Sequence, residues 1–151
     1  MEYIEHPKGD RCIFCIGEEK GKDEERFILF RGKWGFVIMN RYPYANGHLM
    51  IAPYRHIGEL ERLEKEEVWE LFKLTKDSIK ILKRVLKPQG VNIGMNLGRA
   101  AGAGITDHIH IHIVPRWIGD VNFMPILSET KVICEHIKET YKNLKPEFSK
   151  I

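Results

Sequence analysis

The sequence predicts an α+β domain: a mainly antiparallel five-stranded sheet with one long helix and a C-terminal helix. Three patterns predict it. Five short β-like runs occur along the chain, three of them in succession before any long helix. One long stretch carries leucines at helical spacing. Residues 107–115, Asp-His-Ile-His-Ile-His-Ile-Val-Pro, alternate histidine with isoleucine. Successive strand side chains point to opposite faces, so His108, His110 and His112 share one face and Ile109, Ile111 and Ile113 the other.

The elements follow in order. Gly17 to Glu25 is charged and reads as a solvated loop. Arg26–Phe30 and Trp34–Asn40 read as strands joined by the Arg31-Gly32-Lys33 turn. Arg41 to Asn46 is a loop, and Gly47–Ala52 a third strand stopped by Pro53. Leu60, Leu63, Leu71, Leu74, Leu82 and Val85 repeat at multiples of three and four with Glu and Lys between them, which predicts an amphipathic helix over Glu61–Leu86. Pro88-Gln-Gly90 ends it. Gly90–Leu97 is a fourth strand, Gly98–Gly104 a small-residue loop, and Asp107–Val114 the fifth strand. Ser128–Leu144 reads as the closing helix, with Ser128 a candidate N-cap.

At 151 residues, 43% of them hydrophobic, the chain is expected to be one domain, residues 1–151, with a real core. No apolar run approaches the ~18 residues of a membrane span. The N-terminus has acid near its start and no apolar core of a leader, so a soluble, cytoplasmic protein is expected. A formal charge of +3 is too slight for a surface that binds duplex nucleic acid, yet it leaves room for a phosphorylated small ligand. Lys, Glu and Ile are abundant and Gln89 is the sole glutamine, a composition common in heat-adapted proteins.

Three imidazoles on one strand face would be costly to bury without partners. They can jointly bind a catalytic metal, or one can act as a nucleophile that its neighbours position. The preceding loop favours the nucleophile. Gly98, Gly102 and Gly104 let backbone amides approach phosphate oxygens. A second cluster begins with Cys12-x-x-Cys15, which in an intracellular chain suggests metal or redox chemistry. Two thiolates need two further ligands for a closed site. His56 is available just past a strand end, and His108 or His6 could be the fourth. Cys134 and His136 are most simply a packing thiol and a solvated imidazole.

His108-Ile-His110-Ile-His112-Ile-Val114 resembles the His-x-His-x-His signature of the histidine triad (HIT) superfamily. Residues 40–53 are similar to its Asn-x-x-Pro…Gly-His segment, His56 to the histidine that often follows, and Asn96-Leu-Gly98 to its phosphate-side Asn-x-Gly. Pro115 to Phe123 resembles the branch acting on dinucleoside polyphosphates, and the loop Asn96-Leu-Gly-Arg-Ala100 resembles that of its diadenosine tetraphosphate phosphorylase-type members.

The resemblance implies a HIT-like fold and a structural zinc on Cys12, Cys15, His56 and His108, within an N-terminal metal-binding segment of residues 1–26. It implies His110 as the nucleophile that forms a nucleotidyl-histidine, and His112 as a contact to the α-phosphate. Asn96, Gly98, Gly102 and Gly104 would hold phosphate oxygens. Asn40 would bind the ribose, Ile38 would pack on the base and His48 would support the site. A homodimer is implied too. The family's hydrolases often carry Gln four residues before the first triad histidine. Gly104 stands there instead, and the stretch from Asn96 to His108 is a residue longer. Inorganic phosphate is therefore the expected acceptor, giving ADP and ATP from diadenosine tetraphosphate. The alternatives are a dinucleoside polyphosphate hydrolase, a purine nucleoside phosphoramidase, and a zinc-stapled nucleotide-binding module without activity.

Overall fold

The computed structural model describes residues 12–105, 107–120 and 130–151, the last group from 136 onward with side chains. His6, Phe123, Ser128 and the side chain of Cys134 lie outside the described residues.

Five strands form one sheet: β1 (Ile28–Arg31), β2 (Gly35–Met39), β3 (Leu49–Pro53), β4 (Gly90–Gly94) and β5 (Ile111–Arg116). Their order is β1-β2-β3-β5-β4 and every neighbouring pair is antiparallel. Among the described residues three α-helices accompany the sheet: α1 (Asp23–Arg26), α2 (Lys65–Val85) and α3 (Thr130–Phe148). The expected α+β class and antiparallel five-stranded sheet are what the chain adopts. Among the described residues no helix is long and apolar enough to cross a membrane.

Side-chain alternation gives the sheet two faces. Val37, Met39, Leu49, Ile51, Ile111 and Ile113 point to one side, where Leu71, Leu74, Ile81 and Leu82 of α2 and Ile137, Tyr141, Leu144 and Phe148 of α3 cover them. Phe36, Ile38, Met50 and Ala52 point to the other, where Cys12, Phe14 and Ile16 pack. The first face is the larger core. The second is covered by a short segment that must be held down by something other than its own size.

Local boundaries differ from the sequence expectations for physical reasons. The long helix starts at Lys65, not Glu61, because Glu64 and Glu67 form a capping box. Glu67 is buried and also receives Arg55 at 2.8 Å. Leu60 and Leu63 fall in a separate turn, and Leu60 is exposed. The C-terminal helix runs past Leu144 and through Pro146 to Phe148, whose ring is fully buried in the main core. The charged stretch 17–25 is not wholly a loop: a 3-10 turn and α1 occupy it, tied down by Arg31, which bonds Asp23 and the Gly17 and Glu19 carbonyls. The fourth strand stops at Gly94 instead of Leu97. The fifth begins at Ile111 instead of Asp107, since the Ile109 amide bonds the Ile57 carbonyl outside the ladder at 2.7 Å.

Candidate active site and metal centre

Strand register brings the sequence-predicted residues onto the second face. Ile38 pairs with Met50, Met50 with His112, and His112 with Gly94, so these four form one row across the sheet. His48 and Asn40 stand one row along, joined by the bond from the Asn40 amide to the His48 carbonyl. Continuing the β4–β5 register two residues past Gly94 places Asn96 level with His110. The histidine-isoleucine alternation persists below the ladder: Ile109 and the rings of His108 and His110 are buried.

The protonated nitrogen of each imidazole follows from its partners. His110 Nδ1 lies 2.9 Å from the His108 carbonyl oxygen. A carbonyl only accepts, so Nδ1 carries the proton and Nε2 keeps a lone pair. Burial lowers the His110 pKa, which holds the ring neutral. Phe14 stacks on it with centroids 4.5 Å apart.

His48 is fully buried, and its Nδ1 accepts from the Tyr44 amide at 3.2 Å. Its Nε2 therefore carries the proton and donates to His112 Nδ1 at 2.9 Å. His112 must then hold its own proton on Nε2. Burial, with His112 and His110 adding to it, pushes the His48 pKa down to about 3, so the relay has no charge at neutral pH. Tyr44 stacks on His48 with centroids 5.3 Å apart. The face thus presents a bare Nε2 on His110 and an Nε2–H on His112, with ring centroids 4.8 Å apart.

His108 faces a different task. Its Nε2 donates to the Pro53 carbonyl at 2.8 Å, which leaves Nδ1 with a lone pair. That atom is 3.3 Å from Cys12 Sγ, 3.7 Å from Cys15 Sγ and 3.3 Å from His56 Nδ1. Cys15 Sγ and His56 Nδ1 are also 3.3 Å apart. All four ligand atoms lie within 4.8 Å of one another. A tetrahedral ion with metal–sulfur bonds near 2.3 Å and metal–nitrogen bonds near 2.0 Å needs ligand separations of about 3.3–3.8 Å, so these residues could hold a metal ion. Burial pushes the Cys12 thiol up to about 12, and a cation is what would favour its thiolate. His6 is not needed for this set of four.

The glycine-rich loop is exposed, apart from Ala103 and the partly buried Ile105. Gly98 and Gly102 have φ of +85° and +96°, so each needs glycine. The amides of Ala101, Gly102 and Ala103 close the loop's own turns, leaving those of Gly98 and Gly104 without a backbone partner among the described residues. Asn96 Nδ2 lies beside Gly102, and Ile105 packs on the cluster around Phe14. The loop is therefore anchored next to the histidines. Asn40 is half-buried; its Oδ1 accepts from the Tyr42 amide at 2.8 Å, and its Nδ2 sits 3.5 Å from the His48 ring nitrogens, the outer limit of a hydrogen bond.

The HIT domain family model matches residues 22–117. The chain belongs to the HIT domain family. Its described relatives include the AP-4-A phosphorylase of Mycobacterium tuberculosis, 43% identical over 128 residues, which are 85% of this chain and 66% of that protein. This chain thus spans just under two thirds of that relative's length. A HIT-like protein of Methanocaldococcus jannaschii is 30% identical over 112 residues, 72% of this chain and 81% of that one. Among solved structures, a hypothetical histidine triad nucleotide-binding protein from Sulfolobus tokodaii superposes with a TM-score of 0.62 at 27% identity, covering 89% of this chain and 94% of that one. A Zn-bound histidine triad family protein from Mycobacterium smegmatis shares the fold, with a TM-score of 0.71 at 23% identity, covering 92% and 94%.

Two residues at this HIT site were not singled out from the sequence. Phe14 touches His110, and its signal was its place between the two cysteines: if those bind one ion, the residue between them is drawn onto the sheet. Tyr44 stacks on His48, and only its position four residues before that histidine hinted at it.

Proposed function

We propose that this chain is an enzyme that cleaves dinucleoside polyphosphates, diadenosine tetraphosphate foremost, through a covalent nucleotidyl-histidine, with inorganic phosphate as the acceptor. The observation that carries this is the tautomer pattern: His110 offers a bare Nε2 and its neighbour His112 an Nε2–H. The activities for which relatives are named agree on the substrate class, an AP-4-A phosphorylase in M. tuberculosis and a bis(5'-nucleosyl)-tetraphosphatase in Schizosaccharomyces pombe, 26% identical over 117 residues.

The chemistry follows from these atoms. His110 Nε2 attacks the α-phosphorus, the bond from phosphorus to the bridging oxygen breaks, and its electron pair leaves with the nucleoside triphosphate. His112 Nε2–H donates to an α-phosphate or bridging oxygen, stabilising the charge that develops there. Asn96 and the amides of Gly98, Gly102 and Gly104 flank the phosphates, with the Gly102 amide already engaged in its turn. Ile38 packs on the base, Asn40 binds the ribose hydroxyls and His48 fixes the tautomer of His112. Phosphate then attacks the nucleotidyl-histidine, releasing ADP and restoring His110. Splitting one displacement into two is the gain from covalent catalysis.

Zinc suits the Cys12, Cys15, His56 and His108 donor set. With all four positions filled by protein it would be structural, bracing the chain two residues before the nucleophile. Thiols arranged to chelate suit a reducing compartment such as the cytoplasm. A homodimer is part of the proposal: α2 exposes Val68, Trp69 and Phe72 together, and β4 is an edge strand with Ile93 exposed.

The test is incubation with diadenosine tetraphosphate, with and without phosphate, and separation of the products. ADP plus ATP only when phosphate is present supports the proposal. AMP plus ATP without phosphate makes the chain a hydrolase, and no cleavage under either condition refutes the activity.

A further inference from the structure

The glycine-rich loop carries one arginine, and it differs from every other arginine among the described residues. Arg31, Arg55, Arg62, Arg84 and Arg116 pair with carboxylates, while Arg26 and Arg41 donate to main-chain carbonyls. Arg99 is exposed and has no hydrogen bond or ion pair among the described residues. It is also the only lysine or arginine between Lys87 and Arg116, and Arg116 is held by Asp120 and Asn92.

The backbone of Arg99 is fixed where its side chain is not. Gly98 and Gly102 turn the chain at positive φ on either side of the Arg99–Ala101 turn. The Gly98 carbonyl accepts from the Ala101 and Ala103 amides at 3.2 Å, and the Arg99 carbonyl from the Gly102 amide at 3.0 Å. Gly102 returns beside Asn96 Nδ2, and Asn96 is level with His110. No atom lies within 4 Å of where a side chain on Gly98 or Gly104 would begin, so there is open space on both sides of the turn. An unheld guanidinium thus stands on a rigid support next to the nucleophile's row.

The site has need of that charge. The tautomers above leave the imidazoles of His48, His110 and His112 neutral. The proposed second step brings an anion onto an α-phosphate that is itself negative, and the two repel unless a cation lies beside them. Water, the competing acceptor, is neutral and must lose a proton as it attacks. A guanidinium therefore discriminates between the two acceptors.

We infer that Arg99 binds the inorganic phosphate acceptor and selects it over water. The inference rests on the proposed activity and adds the residue that decides its second step. The planar fork of the guanidinium takes two phosphate oxygens. A third oxygen forms the bond to the α-phosphorus of the nucleotidyl-histidine. The bond from phosphorus to His110 Nε2 breaks, and its electron pair returns to the ring, which keeps its Nδ1 proton throughout. The hydrogen of the phosphate dianion stays on the ADP, so the step requires no base. A side chain without internal partners suits the order of events, since phosphate enters only after the nucleoside triphosphate has left.

The test follows the phosphate dependence of turnover and the partition of products with diadenosine tetraphosphate. Arg99→Gln removes the charge, and Arg99→Lys keeps it without the fork. Arg62→Gln, which breaks an exposed pair with Glu59, controls for the loss of one positive charge. Thermal melting establishes that all three are folded. Arg99→Gln is expected to raise the KM for phosphate at least about tenfold, the size of one lost charge-assisted hydrogen bond. It should also release AMP beside ADP at a phosphate concentration where the wild type releases ADP alone. Arg99→Lys should recover part of both effects, and Arg62→Gln should match the wild type. If Arg99→Gln turns over too slowly to assay, mass spectrometry should still find the adenylyl adduct, now discharged slowly by phosphate. An unchanged KM with ADP alone, an equal rise in Arg62→Gln, or an Arg99→Gln that forms no adduct overturns the assignment while the activity stands. A wild type that releases AMP without phosphate, or cleaves nothing, refutes the proposed activity and this inference with it.

Discussion

Replacing Cys12 with serine removes one corner of the proposed metal centre, and the consequence can be sized from the segment it holds. Residues 12–16 bury two large apolar side chains, Phe14 at 1% and Ile16 at 4% exposure. That burial contributes about 3–6 kcal/mol at 1.5–3 kcal/mol per side chain. Ordering five residues costs about 5–10 kcal/mol in backbone entropy. Burial alone does not hold the segment; Arg26 ties the Ile16 carbonyl at 2.8 Å, and on the proposed reading a bound ion supplies the rest. A site at a thousand times its dissociation constant stabilises by about 4 kcal/mol, which for a chain of this size is a melting shift of about 8–16 °C. Cys12→Ser should lose the bound metal and melt at least 8 °C lower, and chelation should bring the wild type to the same temperature. Because Phe14 stacks on His110, turnover should fall in parallel. Metal content and melting are measured on the same preparation. A variant that keeps one ion per chain, or melts with the wild type, refutes the reasoning.

His48 gives a pH prediction with a definite sign. The unfolded chain takes up a proton at this residue near pH 6.5, whereas the folded chain refuses it until about 3, so stability falls as pH drops through that window. The contribution reaches about 1.4 kcal/mol per pH unit. Urea denaturation of His48→Gln between pH 7 and 4 should show a shallower decline than the wild type, and equal slopes count against a buried neutral His48. Gly47 sits at φ +85°, and a Cβ there would collide with Leu86 Cδ1. Gly47→Ala should cost about 3 kcal/mol from strain and overpacking together, read as a lower urea midpoint.

Much of the fold was legible because burial on two faces enforces strict alternation. Phe36, Ile38, Met50 and Ala52 go one way and Val37, Met39, Leu49 and Ile51 the other, as period 2 requires. The long helix was legible from Leu71, Leu74 and Leu82, but its start was not. Leu60 and Leu63 kept the spacing by chance, while the true start signal was a capping box made with Glu64, an unusual cap. The end of α3 was missed because a buried Phe148 outweighs the cost of Pro146, a tertiary effect.

At the site, motif and alternation placed the histidines on one face. The resemblance implied a division of labour among them, but neither motif nor alternation gave the tautomers that support it. That division depends on which carbonyl or amide meets each ring nitrogen: Pro53 for His108, His108 for His110, and Tyr44 through His48 for His112. Pro53 is 55 residues from His108 and His48 is 64 from His112, so no local pattern records these two links.

The central claim is that His110 Nε2 becomes covalently bonded to the nucleotide. The direct measurement is mass spectrometry of enzyme mixed with diadenosine tetraphosphate without phosphate and quenched in alkali, conditions chosen to retain a phosphoramidate. A mass increase of one adenylyl group on the peptide carrying His110, discharged by added phosphate and absent in folded His110→Asn, is the predicted result. Turnover with no adduct on that peptide, or an adduct and undiminished turnover in His110→Asn, would contradict it.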